Sequence, residues 1–282
     1  MRKFHIVTDS NCHIPPALCQ ELDIHVVPLP FVWDNTTYLD NVDMGPREFY
    51  ARLRTSHSVP TTSGPTPGSF KDEFESLASD GKPVLAILVG EVFSSTFTTA
   101  KLAKDMLPNV DLTLINSDSN TMGLGFQVLA AARAAKEGKG LDEVISIVNG
   151  VQDRCGVVFS VSNLDYLRRG GRIGHIQHLL ASTLKLVPIL ELRVGPIKPV
   201  ERVRNQKNVI PRILDLVAQR LVNERPVRMA VVHADAEAHA WQLAKAARDR
   251  FHPDELITSE LNPVLGIHAG PDALGLAYAS GV

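Results

Sequence analysis

Cysteine is scarce in this chain, with three residues among 282, and their arrangement argues against a cysteine-based fold. Cys12, Cys19 and Cys155 are odd in number, and their spacing matches no common zinc motif. A disulfide framework or a paired zinc site is therefore excluded as the basis of the fold. We interpret the three residues as thiols kept in a reducing compartment.

Long hydrophobic runs are also missing. No apolar stretch approaches the ~20 residues that a helix needs to cross a bilayer, and the longest are only as long as a strand. At the start of the sequence, the polar residues Thr8-Asp9-Ser10 arrive before the apolar core of a signal peptide could form. We therefore expect a cytoplasmic protein without stable membrane insertion.

The chain has no excess of charge of either sign. Its 29 basic and 31 acidic residues give a net charge of −2, which lacks the concentrated basic surface of a nucleic-acid partner. Hydrophobic residues make up 44% and charged residues 21%, as in ordinary globular proteins, so disorder is not expected. The length is large for one core and suits two domains.

The short motifs of the common reaction classes are absent as well. The sequence has no G-x-x-x-x-G-K-[ST] loop for a nucleoside triphosphate and no G-x-G-x-x-G after its first strand. It has no H-E-x-x-H, no paired C-x-x-C and no G-x-S-x-G elbow. We therefore expect no cofactor and no metal.

What is present is a regular alternation of strand and helix patterns up to about residue 154. The continuous apolar run Val84–Val89 is typical of a strand covered on both faces, as in a parallel sheet. Phe31–Tyr38 predicts a hairpin with Asn35 in its turn, and Thr66-Pro67 predicts the start of a helix.

Beyond residue 154, strand-like runs on either side of Gly195-Pro196 predict a second hairpin. Leu164–Arg168 and His175–Leu184 each predict a helix. The fold class is therefore α/β.

We predict two domains, packed directly together. Residues 1–154 form an N-terminal α/β domain with a doubly wound parallel sheet, and residues 155–282 form a C-terminal α/β domain with a mixed sheet. No low-complexity linker separates them. Because ligand sites often lie between domains, we expect the ligand at this interface.

Polar segments follow three predicted strands, namely Thr8-Asp9-Ser10, Ser94-Ser95-Thr96 and 116–119 (Asn-Ser-Asp-Ser). In a doubly wound sheet these ends converge on one edge, where hydroxyls at helix N-termini suit a carboxylate or another small anion. The alternative for any single segment is that its Ser or Thr only caps a helix. The convergence of several segments favours a binding site without identifying the ligand.

Three further segments are candidates. A stiff stretch rich in Pro and hydroxyls presents Thr62 and Ser63, a glycine-containing basic loop carries Arg172, and two glycines bracket His268 near the C-terminus. The competing interpretations are an exposed turn, a solvated basic loop and a structural histidine. The pattern alone leaves these alternatives open.

Taken in order, these segments resemble the DegV family across essentially the whole chain. Each motif is weak alone, but the ordered set is specific. The matching segments are Val7–Ser10, Pro60–Pro65, Phe93–Phe97, Asn116–Ser119 followed by Gly123-Leu124-Gly125, Leu164–Ile173, Pro188–Leu190, Arg204 with Lys207, and Val264–Pro271.

The resemblance implies a protein that buries a long-chain fatty acid and is not itself a catalyst. By analogy, Thr62, Ser63, Ser94 and His268 hold the carboxylate, with Arg172 nearby. The family further implies delivery of the bound acid to a separate ATP-dependent kinase, which makes an acyl phosphate for phospholipid synthesis. We expect a monomer, since no coiled coil or long exposed apolar stripe is visible.

The sequence departs from the family pattern at three positions. Gly64 stands where Gln is common, Ser95 where Gly is common, and Val187 where a basic residue is frequent, which bears on the geometry around the carboxylate and on the fit to a kinase. Two rival functions remain. The first is an enzyme or kinase subunit using His268 or a serine as nucleophile, since the family distantly resembles dihydroxyacetone kinase subunits in fold. The second is a regulatory or interaction module.

Overall fold

The structure is a computed structural model, and it describes residues 3–174, 186–222 and 224–281. It contains a parallel sheet, a mixed sheet and a small three-stranded sheet, so the predicted α/β class is confirmed. The predicted helix His175–Leu184 lies outside the described residues. No helix in the described ranges has both the length and the apolar composition that crossing a membrane requires.

The first sheet has four parallel strands in the order β2-β1-β6-β7. Helices cover both faces of this sheet. The unbroken apolar run Val84–Val89 predicts such a strand, and every residue of β6 is indeed buried. The strands are β1 (His5–Asp9), β2 (Ile24–Val27), β6 (Val84–Leu88) and β7 (Leu112–Asn116), and the helices around them are α1 (Pro16–Glu21), α3 (Pro67–Ala78), α4 (Thr96–Asp105) and α5 (Thr121–Lys136).

The second sheet has six strands in the order β10-β9-β8-β13-β11-β12 and is mixed, because only β11 and β12 pair in parallel. The predicted hairpin is confirmed as β9 with β10, joined through a turn in which Gly195 has a positive φ. The strands are β8 (Cys155–Ser160), β9 (Val187–Leu192), β10 (Lys198–Val203), β11 (Val227–His233), β12 (Glu255–Glu260) and β13 (Leu274–Ser280), with helices α6 (Leu141–Arg154), α8 (Val209–Arg220) and α9 (Glu237–Phe251).

Helix α5 lies between the two sheets and packs against strands of both. Its sequence has apolar or small residues on almost every side, as expected for a helix that is surrounded by protein. Arg133 near its end also pairs through two hydrogen bonds with Glu255 of β12. The hydrophobic residues on the α5 side of the two sheets therefore form one continuous core.

The third sheet is small and bears on the site. Strands β3 (Pro30–Trp33) and β4 (Thr36–Leu39) form the predicted hairpin, and Asp34 and Asn35 both adopt the positive φ that its two-residue turn needs. A two-residue strand β5 (Thr61–Thr62) pairs with β3, with helix α2 (Pro46–Thr55) nearby.

The sequence reading was wrong or incomplete in three places. Thr8 and Asp9 lie inside β1 and do not form a loop after it. The C-terminal strand β13, which occupies the middle of the second sheet, was missed. Two short helices, α7 (Asp165–Arg169) and α10 (Pro263–Ala269), pack against each other beside the site, and only α7 was predicted.

Candidate functional site

One cavity brings together four of the six polar segments that the sequence indicated, those that contain Thr62, Ser94, Arg172 and His268, whereas Thr8-Asp9-Ser10 and residues 116–119 do not line it. Its empty volume is about 1060 Å³, part of which opens to solvent. Most of its lining is apolar and comes from the second sheet, α7 and α10, with residues such as Val157, Phe159, Leu192, Val232, Leu261, Val264 and Leu274. Such a lining with a few convergent polar groups is typical of a small-molecule site.

All five residues proposed from the sequence line this cavity: Thr62, Ser63, Ser94, Arg172 and His268. Ser63 is exposed, and the other four are partly buried. The hydroxyl group of Ser94 is within 2.7 Å of the hydroxyl of Thr96 and accepts a hydrogen bond from the backbone N–H of that residue. Ser94 therefore satisfies the first backbone N–H of α4, although the N-cap position itself is Ser95, whose side chain makes no capping bond.

His268 and Thr62 are joined by a hydrogen bond of 3.1 Å between Nε2 and Oγ1. The pairing of Thr62 with Phe31 in β3 holds the hydroxyl in place, and His268 lies near the end of α10. Burial and, secondarily, the positive charge of Arg172 lower the pKa of His268 to about 4. The imidazole is therefore neutral at physiological pH and offers one polar nitrogen to this side of the cavity.

The other ring nitrogen of His268, Nδ1, has no hydrogen-bond partner within the described ranges. It packs against Gly170, where an added Cβ would lie only 2.0 Å from Nδ1. Gly170 has ordinary helical dihedrals, so this position requires glycine for space and not for backbone freedom. Within the described part of the chain, no carboxylate bonds to Nδ1 to orient the imidazole, as one would in a catalytic triad.

Arg172 supplies the positive charge of the site. Its Nε donates to the carbonyl oxygen of Phe93 and its Nη1 to that of Gly170, which hold the guanidinium in a fixed orientation. Partial burial lowers its pKa, although arginine remains protonated. Among the described residues no acidic side chain pairs with Arg172.

Two of the three departures from the family pattern touch each other. Gly64 and Ser95 both line the cavity where it meets the surface, and an added Cβ at Gly64 would lie 2.7 Å from Oγ of Ser95. The glycine thus makes room for the serine hydroxyl. The third departure, Val187, begins β9 and is not among the residues that line the cavity.

Three polar residues that line the cavity were not predicted as site residues from the sequence: Asn11, Asn120 and Thr121. Asn11 follows β1 within a short 3₁₀ helix, and Asn120 caps α5 by accepting from the N–H of Thr121. They lie just beyond the ends of β1 and β7, so the rule that ligands bind at the carboxyl edge of a parallel sheet would have found them. The predicted segment 116–119 is instead largely bonded within its own turn.

In the described part of the chain, no three His, Cys, Asp or Glu residues lie close enough together to bind a metal ion. Cys12 and Cys155 are buried free thiols, and Cys19 is a partly buried one.

Comparison with known proteins gives consistent matches along the whole chain. The DegV family model, described as an uncharacterised protein of the DegV family, matches residues 3–281. A DegV domain-containing protein of Clostridium perfringens is 35% identical over 279 residues, which cover 97% of this chain and 98% of that protein. Protein DegV of Bacillus subtilis is 31% identical over 274 residues, covering 97% and 98%.

Solved structures agree in fold over the same length. A DegV family protein from Thermus thermophilus, described by its fatty-acid binding, superimposes with a TM-score of 0.92 at 29% identity, covering 99% of this chain and all of that one. DegV from Bacillus subtilis, described as a fatty-acid-binding protein, gives a TM-score of 0.91 at 29% identity with the same coverage.

Proposed function

The chain belongs to the DegV family, and on that premise we propose that it binds a long-chain fatty acid in the cavity. The two similar structures are of proteins described as binding fatty acids. The observation that carries the proposal is that the cavity lining has a large apolar part and a small polar part. The lining is apolar over most of its extent, and a neutral histidine, hydroxyls and Arg172, which pairs with no described acidic side chain, gather on one side.

The energetics favour such a ligand. Burying each methylene contributes ~0.8 kcal/mol, so a tail of about 15 carbons offers roughly 12 kcal/mol before the costs of ordering are subtracted. The carboxylate then needs only enough polar contact to replace its lost hydration. We assign that contact to Thr62, Ser63, Ser94 and His268, with Arg172 as the nearby positive charge.

The same arrangement suits delivery to a second enzyme. Ser63, Gly64 and Ser95 are exposed where they line the cavity, so a carboxylate held beside them is close to the surface. Hydroxyl and imidazole contacts leave a carboxylate oxygen available for phosphorylation. We propose that a separate ATP-dependent kinase makes the acyl phosphate, with this chain as a non-catalytic, cytoplasmic, monomeric carrier divided into domains 1–154 and 155–282.

The binding proposal is tested by mass spectrometry of protein purified natively and then extracted for lipid. We expect a stoichiometric long-chain fatty acid that is lost or greatly reduced when His268→Ala is combined with Ser94→Ala. His239→Ala, at an exposed position on α9, is the matched control and should keep the lipid. A wild-type protein that is empty and also takes up neither palmitate nor oleate would refute the proposal.

The kinase step has its own test. Protein loaded with palmitate is incubated with ATP and the fatty acid kinase of the same organism, and acyl phosphate is trapped as hydroxamate with hydroxylamine. Product is expected only with both proteins present. Product formed without the kinase, or hydrolysis of acyl esters that is abolished by His268→Ala, would favour the enzymatic alternative.

A further inference from the structure

Two buried polar side chains of the cavity lining are not among the residues assigned to the carboxylate. Asn11 is 4% exposed and Thr121 is 7% exposed, and both line the cavity. The 3₁₀ helix that contains Asn11 packs against α5, whose first residue is Thr121. Both side chains therefore line the cavity from two elements that pack together.

Each of these side chains has an oxygen without a partner. Oδ1 of Asn11 and Oγ1 of Thr121 are buried and make no hydrogen bond to any described residue, including each other. Leaving a buried polar atom unpaired is unfavourable, and native structures do so rarely, so each such atom requires an explanation. Thr121 also has a φ of +47°, an unusual conformation for a β-branched residue.

The position of this group points to the hydrocarbon chain. An added Cβ at Gly123, two residues after Thr121, would lie 3.6 Å from a methyl group of Val157 in β8, so the first turn of α5 borders the apolar face of the second sheet. The residues assigned to the carboxylate come instead from β5, the β6–α4 connection, the segment after α7, and α10.

We propose that Asn11 and Thr121 form a second polar subsite, which binds a hydroxyl group carried on the acyl chain. This inference rests on the proposed function and names a ligand class for it, the hydroxy fatty acids. A hydroxyl donates one hydrogen bond and accepts another, so it can donate to Oδ1 of Asn11 and accept from the hydroxyl of Thr121. A plain methylene leaves both oxygens unpaired, and a keto oxygen can satisfy only Thr121.

The test compares stearate with a series of monohydroxystearates that differ in the position of the hydroxyl. Affinities are measured on lipid-free protein by displacement of a fluorescent fatty acid. We expect one positional isomer to bind about tenfold more tightly than its neighbours in the series, which corresponds to one added hydrogen bond. Thr121→Val, which removes only the hydroxyl, should abolish this preference, and Thr121→Ser, which keeps it, should not.

Each outcome bears on one of the two proposals. If stearate binds and no isomer is preferred, or the preference survives Thr121→Val, the second subsite is refuted and the fatty-acid site stands; a water molecule then satisfies the two oxygens. If neither stearate nor any hydroxystearate binds, both proposals fail. The comparison of isomers on the wild-type protein decides the matter even if Thr121→Val does not fold.

Discussion

Replacing Gly170 by alanine should displace His268 and weaken binding of the fatty acid carboxylate. The added methyl group would lie 2.0 Å from Nδ1 and 2.7 Å from Cε1 of His268. Non-bonded heavy atoms prefer separations of about 3.5 Å, so the ring must move by roughly 1.5 Å. A shift of that size breaks the 3.1 Å bond to Thr62, because hydrogen bonds fail beyond about 3.5 Å.

The expected loss follows from the contacts removed. Losing the bond to Thr62 and the imidazole contact to the carboxylate should cost about 2 kcal/mol, or roughly a thirtyfold rise in Kd. The backbone contributes little, since Gly170 has φ −74° and ψ −4°, which alanine adopts readily.

The assay is displacement of a fluorescent fatty acid from lipid-free protein by palmitate and, separately, by hexadecanol. Palmitate should lose affinity in Gly170→Ala, and hexadecanol, which has no carboxylate, should lose much less. Gly150→Ala in α6 is the matched control, because nothing lies within 4 Å of its added Cβ. A folded Gly170→Ala protein that binds palmitate within about threefold of wild type would refute the reasoning.

Three further predictions concern the framework around the cavity. Burial raises the pKa of Asp40 to about 7. The protonated carboxyl therefore contributes fully to the unfolding free energy below about pH 4, and this contribution is lost as the pH rises through 7. Asp40→Asn should remove about 3 kcal/mol of the decline in unfolding free energy between pH 5 and 8, and a urea-denaturation profile with the same pH dependence as wild type would contradict this. Gly64→Ala should lose up to about 1 kcal/mol of unfolding free energy through contact with Ser95, and adding Ser95→Gly should restore it; strictly additive effects would argue against the contact. Asn262 caps α10 and donates to two buried oxygens, so Asn262→Ala should cost about 3 kcal/mol of unfolding free energy. Asn163→Ala, which removes only the bond that the exposed Asn163 accepts from the N–H of Asp165, should cost about 1 kcal/mol or less. Equal losses in thermal or urea unfolding would contradict this prediction.

The sequence alone determined the fold class, because hydrophobic periodicity is a local property. Adjacent residues were enough to predict three kinds of feature: the buried strand β6, the start of α3 at its threonine and proline, and the two hairpins. The ordered motifs were also sufficient to identify the DegV family. The proposed carboxylate residues came from those motifs, and their role remains a prediction although they share one cavity.

What the sequence did not reveal depends on contacts between distant segments. Strand β13 was not predicted, although it lies in the middle of the second sheet. Its residues are mostly small, and its place in the sheet depends on pairing with β8 and β11, which are distant in the sequence. The contact between Gly64 and Ser95 joins positions 31 residues apart, which look like unrelated departures until the chain is folded.

The tertiary structure alone decided three features of the site. It placed His268 against Gly170, positioned α5 between the two sheets, and left oxygens of Asn11 and Thr121 without a partner among the described residues, in a largely apolar cavity. The physical reason is the same in each case. Burial, and with it the pKa of an imidazole or the cost of an unpaired oxygen, is set by which surfaces pack together, and a local pattern of residues does not specify that.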